Sequence, residues 1–331
     1  MACAIGSSPR RHKARDCAKL PIIARVVLSS PWFPGGDMED RSAKYRAFFA
    51  QLICAAAKSA DPRLEEAFRT VRREPFVGPG PWSICLGGHP YVVTPDDDPA
   101  FIYQNALLAL DPARGLNIGM PSAHAYWLTG CAVREGETVI QIGAGSGYYT
   151  AILAHLVGPG GRVHAYEIDE RLAALARDNL KDIARVDLRD RSGIASDLPA
   201  ADVIYVCAGA AQPATQWLEA LRPGGRLVFP LAPEGTLGGM LMITRPDDGA
   251  IWPAKFLSRA QFIGCAGLQD EDAARRLADA FAKGWEGVQS LQREGAPDET
   301  CWFAGEGWWL STALAPIPVA SVQPHADITQ A

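Results

Sequence analysis

The sequence predicts an α/β fold with a parallel sheet covered by helices on both faces. Between residues 137 and 231, short apolar runs rich in β-branched residues alternate with helical segments. That alternation is the signature of βαβ units, whose crossover helices bury both sheet faces. The first run also ends in a glycine-rich loop that opens a helix, as cofactor-binding βαβ units do.

The elements follow in order. Residues 39–58 and 61–72 read as two helices joined at Asp61-Pro62, where Pro suits a first helical turn. Residues 76–100, rich in Gly and Pro, read as irregular chain with short extended pieces. The run Asp96-Asp97-Asp98 in it reads as a solvated turn, with a cation site as the alternative. ETVIQIG is a buried strand, and YYTAILAHLV is a helix closed by GPGG. RVHAYEID is the next strand, after which Asp169 caps the helix ERLAALARDNLKDI. That helix places Leu172, Leu175, Ala176 and Ile183 on one face. VDLRD, the strand ADVIYVCAGA, the helix ATQWLEALR and the strand RLVFPL complete the unit. Beyond residue 255 come RAQFIGCAG, a helix over DEDAARRLADAFAKGWEGVQSLQ, and CWFAGEGWWLST. Trp302, Phe303, Trp308 and Trp309 there are expected to pack a terminal strand on the added helix. An aromatic wall for a substrate or a homodimer contact is the alternative.

Composition excludes several classes. The 331 residues include 48% apolar and 21% charged, an ordinary globular balance. No apolar run approaches the ~20 residues that span a bilayer. A formal net charge of −5 argues against a dedicated nucleic-acid binder. The eight cysteines (Cys3, Cys17, Cys54, Cys85, Cys131, Cys207, Cys265, Cys301) are scattered, with no CxxC pair and no metal-ligand spacing. Reduced thiols in a cytoplasmic protein, and no metal, are the expectation. Residues 1–37 carry the basic cluster Arg10, Arg11, Lys13 and Arg15, then the helix-breaking PWFPGG. They are expected to be a disordered or extraneous leader, with Met38 as the natural start. The Pro-interrupted segment 314–331 reads as a disordered tail.

The loop Gly143-Ala144-Gly145-Ser146-Gly147-Tyr148 fits G-x-G-x-G. A dinucleotide fingerprint wants a small residue where Tyr148 stands, so that helix and strand pack closely beside the pyrophosphate. S-adenosylmethionine has no pyrophosphate and needs only a backbone that lets its methionine and ribose pass. Glu167 ends the second strand, twenty residues after Gly147, where a carboxylate can accept hydrogen bonds from ribose hydroxyls. S-adenosylmethionine is therefore the expected cofactor.

VRREPFV (71–77), VIQIGAGSGYYTAILAHLVGPGGRVHAYEID and ADVIYVCAGAAQPATQWLEALRPGGRLVFPL make the sequence similar to the protein-L-isoaspartate O-methyltransferases. These are class I S-adenosylmethionine-dependent enzymes, and the resemblance runs from about residue 43 to about residue 265. It implies a Rossmann-like fold on a mostly parallel, seven-stranded sheet. Residues 38–130 would form N-terminal helices and a segment covering the site, 131–255 the cofactor-binding core, and 256–313 a C-terminal α/β extension. It further implies that Gly143, Gly145, Ser146 and Gly147 border the cofactor and that Glu167 holds the ribose. Arg191-Ser192-Gly193 stands where the family has Gly-Asp-Gly near the adenine, which leaves Ser192, Gly193 and main chain for that contact. Gln141 stands where an acid is common.

The family's Thr-Ile-Ser-x-Pro motif, followed in many members by His-Ala-Tyr, sits beside the substrate carboxylate. Here Asn117-Ile118-Gly119-Met120-Pro121 takes its place, with His124-Ala125-Tyr126 after it. The frame is kept and both hydroxyls are gone. Asn117, Gly119 and His124 are therefore the candidate catalytic residues. A carboxylate acceptor is already a nucleophile and needs no base. Asn117 would orient it and Gly119 would leave room. A hydroxyl or amine acceptor needs a base within reach, and His124 is the first candidate, with His89 the second. A packed helix-start histidine is the alternative for His124. His155 and His164 receive no role. The expectation is methylation of a carboxylate on a protein or peptide, outside isoaspartate repair. Small-molecule O- or N-methylation and cofactor binding without catalysis are the alternatives.

Overall fold

The computed structural model describes residues 38–87, 89–195, 197–232 and 236–315. The leader lies outside the described residues, as does the tail beyond residue 315. The chain divides into Met1–Arg41, of which only the first residues of α1 are described, and Ser42–Ala331, which holds everything below.

The N-terminal region comprises α1 (Met38–Ala56), α2 (Pro62–Thr70) and α3 (Glu74–Val77). Asp61 caps α2, its carboxylate accepting from the Arg63 N–H, with Pro62 at the first helical position. A small antiparallel sheet follows: β1 (Ser83–Cys85), β2 (Val92–Val93), β3 (Leu107–Asp111) and β4 (Leu116–Asn117), in the order β2-β1-β3-β4. The acidic triplet makes turns, Asp96 accepting from the Asp98 N–H and Asp98 from the Ala100 N–H.

α4 (Pro121–Cys131) leads into the alternating unit: β5 (Thr138–Ile142), α5 (Tyr148–Leu156), β6 (Arg162–Tyr166), α6 (Glu170–Leu180), β7 (Val186–Arg189), β8 (Ala201–Val206), α7 (Thr215–Ala220) and β9 (Leu221–Leu231). β7, β6, β5, β8 and β9 pair in parallel, as helical crossovers require. Successive side chains of these strands point to opposite faces and build two cores. Val139, Val163, Val203 and Tyr205 face α1, α2, α4, α5 and α6. Ile140, Ile142, Ile204 and Phe229 face α7 and α8 (Glu271–Ala282).

The expected seven-stranded sheet is instead ten-stranded, and only half of it is parallel. β10 (Gly238–Thr244) and β11 (Ile251–Ala260) return antiparallel, because their connections are too short for a crossover. β12 (Ser290–Gln292), β13 (Cys301–Gly305) and β14 (Trp308–Ser311) then extend the same sheet, in the order β13-β14-β12-β11-β10-β9-β8-β5-β6-β7.

Two helix readings change. α8 stops at Ala282, because Gly284 takes φ +94° and residues 290–292 pair as a strand. α6 ends at Leu180, so Ile183 lies beyond it; Ala173 and Leu180 join Leu172 and Ala176 on its buried face, and Leu175 is only half-buried. The C-terminal aromatics pack internally. Trp302 meets Phe256 and Phe281 edge-on at 5.4 and 5.2 Å and donates to the Gly284 carbonyl, while Phe303 meets Trp308 at 5.8 Å.

Candidate active site

The glycine loop leaves the C-terminal end of β5 and turns into α5. Gly143, Gly145 and Gly147 all sit at positive φ (+75°, +58° and +94°), a conformation that side chains resist. Space demands glycine at two of them. A Cβ at Gly143 would stand 3.2 Å from the Cys207 carbonyl oxygen, and one at Gly147 would stand 2.8 Å from the Leu180 side chain. Ser146 is buried, and among the described residues its hydroxyl has no hydrogen-bond partner.

Glu167, buried where β6 ends, ties this loop to α6. One carboxylate oxygen accepts from the Gly145 N–H at 2.6 Å, the other from the Asp169 N–H at 2.9 Å. Burial pushes its pKa above the ordinary carboxylate value, against the opposing pull of these N–H groups. Gln141 is buried as a clip: its carbonyl accepts from the Thr150 hydroxyl at 2.6 Å. On the neighbouring turn the Ser192 hydroxyl accepts from the Ile194 N–H. Gly193 lies so close to β5 that a Cβ would be 2.7 Å from Ile142.

A hairpin, β3–β4, reaches over this region. Leu110 is the nearest side chain to a Cβ placed on Gly145, at 3.8 Å. The hairpin tip is fastened beside Glu167, with Arg114 bonded to Asp169 at 2.6 Å and Arg171 to Asp111 at 3.5 Å. Capping of α6 through the Leu172 N–H, with Arg114 next, holds the Asp169 carboxyl below its usual range.

β4 delivers the 117–124 segment. The Asn117 side-chain carbonyl accepts from the Gly119 N–H at 2.8 Å, and its NH₂ donates to the Gly115 carbonyl at 3.0 Å. These bonds fix the amide's orientation, and the Asn117 side chain also bonds to Tyr91. Gly119, at φ +80°, does not open free space as expected. A Cβ there would lie 2.3 Å from His124 Nε2 and 2.7 Å from Cδ2. The imidazole fills that volume here, so a side chain on residue 119 would require the ring to move.

His124 is buried on α4. Its ring stacks on Tyr149 at 3.7 Å and 9°, with Trp127 and Phe262 edge-on at 5.1 and 6.2 Å. Nδ1 lies 2.9 Å from the hydroxyl of Tyr205 on β8. Burial drives its pKa down to about 3, so it is an uncharged imidazole at neutral pH. His89 is exposed in a bend and lies outside this cluster. Tyr149, Tyr205 and Arg114 are site residues that sequence reasoning missed. The one available signal was Tyr205's polar tip among the apolar residues Val203, Ile204 and Val206.

The family model described as protein-L-isoaspartate(D-aspartate) O-methyltransferase (PCMT) matches residues 89–267. A relative named protein-L-isoaspartate O-methyltransferase 2, from an Anaeromyxobacter species, is 32% identical over 212 residues, 61% of this chain and 78% of its own. A protein-L-isoaspartate O-methyltransferase of Methanothrix thermoacetophila is 29% identical over 66% of this chain and 97% of its own. Among solved structures, a protein-L-isoaspartate O-methyltransferase superposes with TM-score 0.55 at 20% identity, over 68% of this chain and 67% of that one. A beta-aspartate methyltransferase (PCMT) structure from Plasmodium falciparum, in complex with S-adenosyl-L-homocysteine, gives TM-score 0.52 at 17% identity, over 66% and 97%.

Proposed function

The chain belongs to the protein-L-isoaspartate(D-aspartate) O-methyltransferase family and is an S-adenosylmethionine-dependent methyltransferase, and on that basis we propose that it methylates a carboxylate of a protein or peptide outside isoaspartate repair. The observation that carries this reading is the Gly119–His124 pair. Neither hydroxyl of the family motif is present, while the motif's histidine is kept as His124, an uncharged, buried imidazole whose Nε2 lies where a Cβ on residue 119 would be.

The residues fit the cofactor. Three glycines at positive φ leave backbone open to it, Ser146 offers a buried hydroxyl without a partner among the described residues, and Glu167 presents a carboxylate at the strand end. Gly143, Gly145, Ser146 and Gly147 would border the methionine and ribose, with Glu167 on the ribose hydroxyls. Ser192 and Gly193 would edge the adenine. Bound S-adenosylmethionine supplies a methyl group on a sulfonium, which an acceptor takes by in-line displacement.

The protein's contribution is alignment, which supplies roughly 7–11 kcal/mol in favourable cases. The Leu110 hairpin and the Arg114–Asp169 pair hold the covering segment over the loop. Asn117 keeps the 115–119 turn in shape through its bonds to Gly115 and Gly119. An imidazole with a pKa of about 3 is a poor general base at neutral pH, which favours an acceptor needing no deprotonation. A carboxylate meets that condition.

Methyl transfer from labelled S-adenosylmethionine to mixed Asp- and Glu-bearing peptides tests the reading. Label released as methanol by mild base supports a carboxyl ester; base-stable label refutes it. The aromatic box of Tyr149, Trp127 and Phe262 around His124 favours a second reading, a small-molecule O- or N-acceptor, and base-stable label on a small molecule would support that.

A further inference from the structure

Tyr205 has no role so far, yet its hydroxyl decides what His124 presents. Among the described residues, His124 Nδ1 is the one hydrogen-bond partner of that hydroxyl, at 2.9 Å. Tyr205 is fully buried, and burial keeps it a protonated phenol. If Nδ1–H donated to the phenol, the phenol's own proton would be left buried without an acceptor. An unsatisfied buried donor costs about 1–3 kcal/mol. With the phenol donating to Nδ1, the phenol is satisfied and the imidazole proton sits on Nε2, where it is the one donor left to be met by an acceptor oxygen. Burial at 2% exposure, with no charged group contributing to its shift, removes the doubly protonated alternative.

Nε2 points at the volume that a side chain on residue 119 would fill. Tyr149 fixes the ring plane from one side, and Trp127 and Phe262 meet it edge-on. The donor is therefore held in direction as well as in tautomer.

We propose that Tyr205 is a positioning residue that fixes His124 in its Nε2–H tautomer, and that this N–H, standing in the space vacated by the side chain of residue 119, orients the acceptor oxygen. This rests on the reading that the 117–124 segment meets the acceptor. An N–H held on one carboxylate oxygen leaves the other free to face the methyl group. The donor is uncharged, so it orients the acceptor without forming an ion pair that would hold its negative charge.

The test uses the full chain loaded with S-adenosyl-L-homocysteine. Nitrogen-15 NMR of the histidine rings reads the tautomer, and labelled methyl transfer to mixed Asp- and Glu-bearing peptides reads the rate. Wild type should show His124 as Nε2–H. Tyr205→Phe should mix the tautomers and lower kcat about 10- to 100-fold, while S-adenosyl-L-homocysteine affinity stays within about twofold. His124→Gln, whose amide reaches near Nε2, should keep more activity than His124→Asn, whose amide stops near Nδ1. An Nδ1–H tautomer in wild type overturns the proposal whatever the activity. So does a Tyr205→Phe enzyme with unchanged kcat, or equal loss in the two His124 variants. If wild type shows Nε2–H and binds S-adenosyl-L-homocysteine but labels no carboxylate peptide, the tautomer setting stands. The acceptor class in the preceding section then fails.

Discussion

At the scale of single residues, the site turns on two atoms that compete for one place. Residue 119 carries no side chain, and His124 Nε2 stands where its Cβ would be. Gly119→Ala is therefore expected to lose stability and activity, both from the clash and from φ +80°, which costs an L-residue about 1–2 kcal/mol. Adding His124→Ala should recover part of the loss, with a coupling of about 0.5–3 kcal/mol in a double-mutant cycle of urea unfolding. Strictly additive losses would show that the two residues do not collide.

His124 also leaves a mark on pH dependence. Its folded pKa of about 3 lies below the usual 6.5, so the unfolded chain takes up the extra proton first. Stability present above about 6.5 is lost as pH falls toward about 3, at ~1.4 kcal/mol per pH unit for one proton. His124→Gln should flatten the slope of unfolding free energy by that one proton between about pH 6 and about pH 4. At this scale the sequence revealed Asn117, Gly119 and His124 as a motif with its hydroxyls removed. It did not reveal the Tyr205 contact, 81 residues away along the chain, because a through-space bond leaves no local pattern.

At the scale of elements, what matters is how α4 and the β3–β4 hairpin are held. Arg226 of β9 donates to the Cys131 and Ala132 carbonyls at the end of α4 and to both Glu137 oxygens, and both partners are nearly buried. Arg226→Ala leaves that carboxylate and those carbonyls uncompensated, so a loss of about 3–5 kcal/mol is expected in chemical denaturation. The hairpin clasp behaves differently, because Arg114 is exposed. Arg114→Ala should leave the unfolding midpoint nearly unchanged while S-adenosyl-L-homocysteine dissociates severalfold faster in stopped flow. The difference should shrink at high salt, where exposed pairs are screened.

Strands such as ETVIQIG and caps such as Asp61 and Asp169 were legible because local chemistry determines them. The overlong reading of α8 shows the limit. Residues 283–292 carry a helix-compatible polar pattern, yet Gly284 turns the chain and Ser290–Gln292 is claimed by pairing with β11.

At the scale of the whole molecule, a parallel half-sheet carries the glycine loop and an antiparallel half extends it. The parallel half could be read from the alternation of strands and helices. The antiparallel half could not, since strand order at an edge depends on long-range pairing and leaves little trace in a short apolar run. The family match over residues 89–267 includes the glycine loop and Glu167. Asn117 and Gly119 replace the family's two hydroxyls beside the retained His124, in the segment where the proposed acceptor would sit.

The central claim is that the acceptor is a carboxylate other than that of isoaspartate. It is tested most directly by offering an isoaspartyl peptide and its aspartyl and glutamyl counterparts at equal concentration, with labelled S-adenosylmethionine. Base-released methanol is then counted from each. The account predicts base-labile label with no preference for the isoaspartyl peptide. Rapid turnover confined to the isoaspartyl peptide would contradict it.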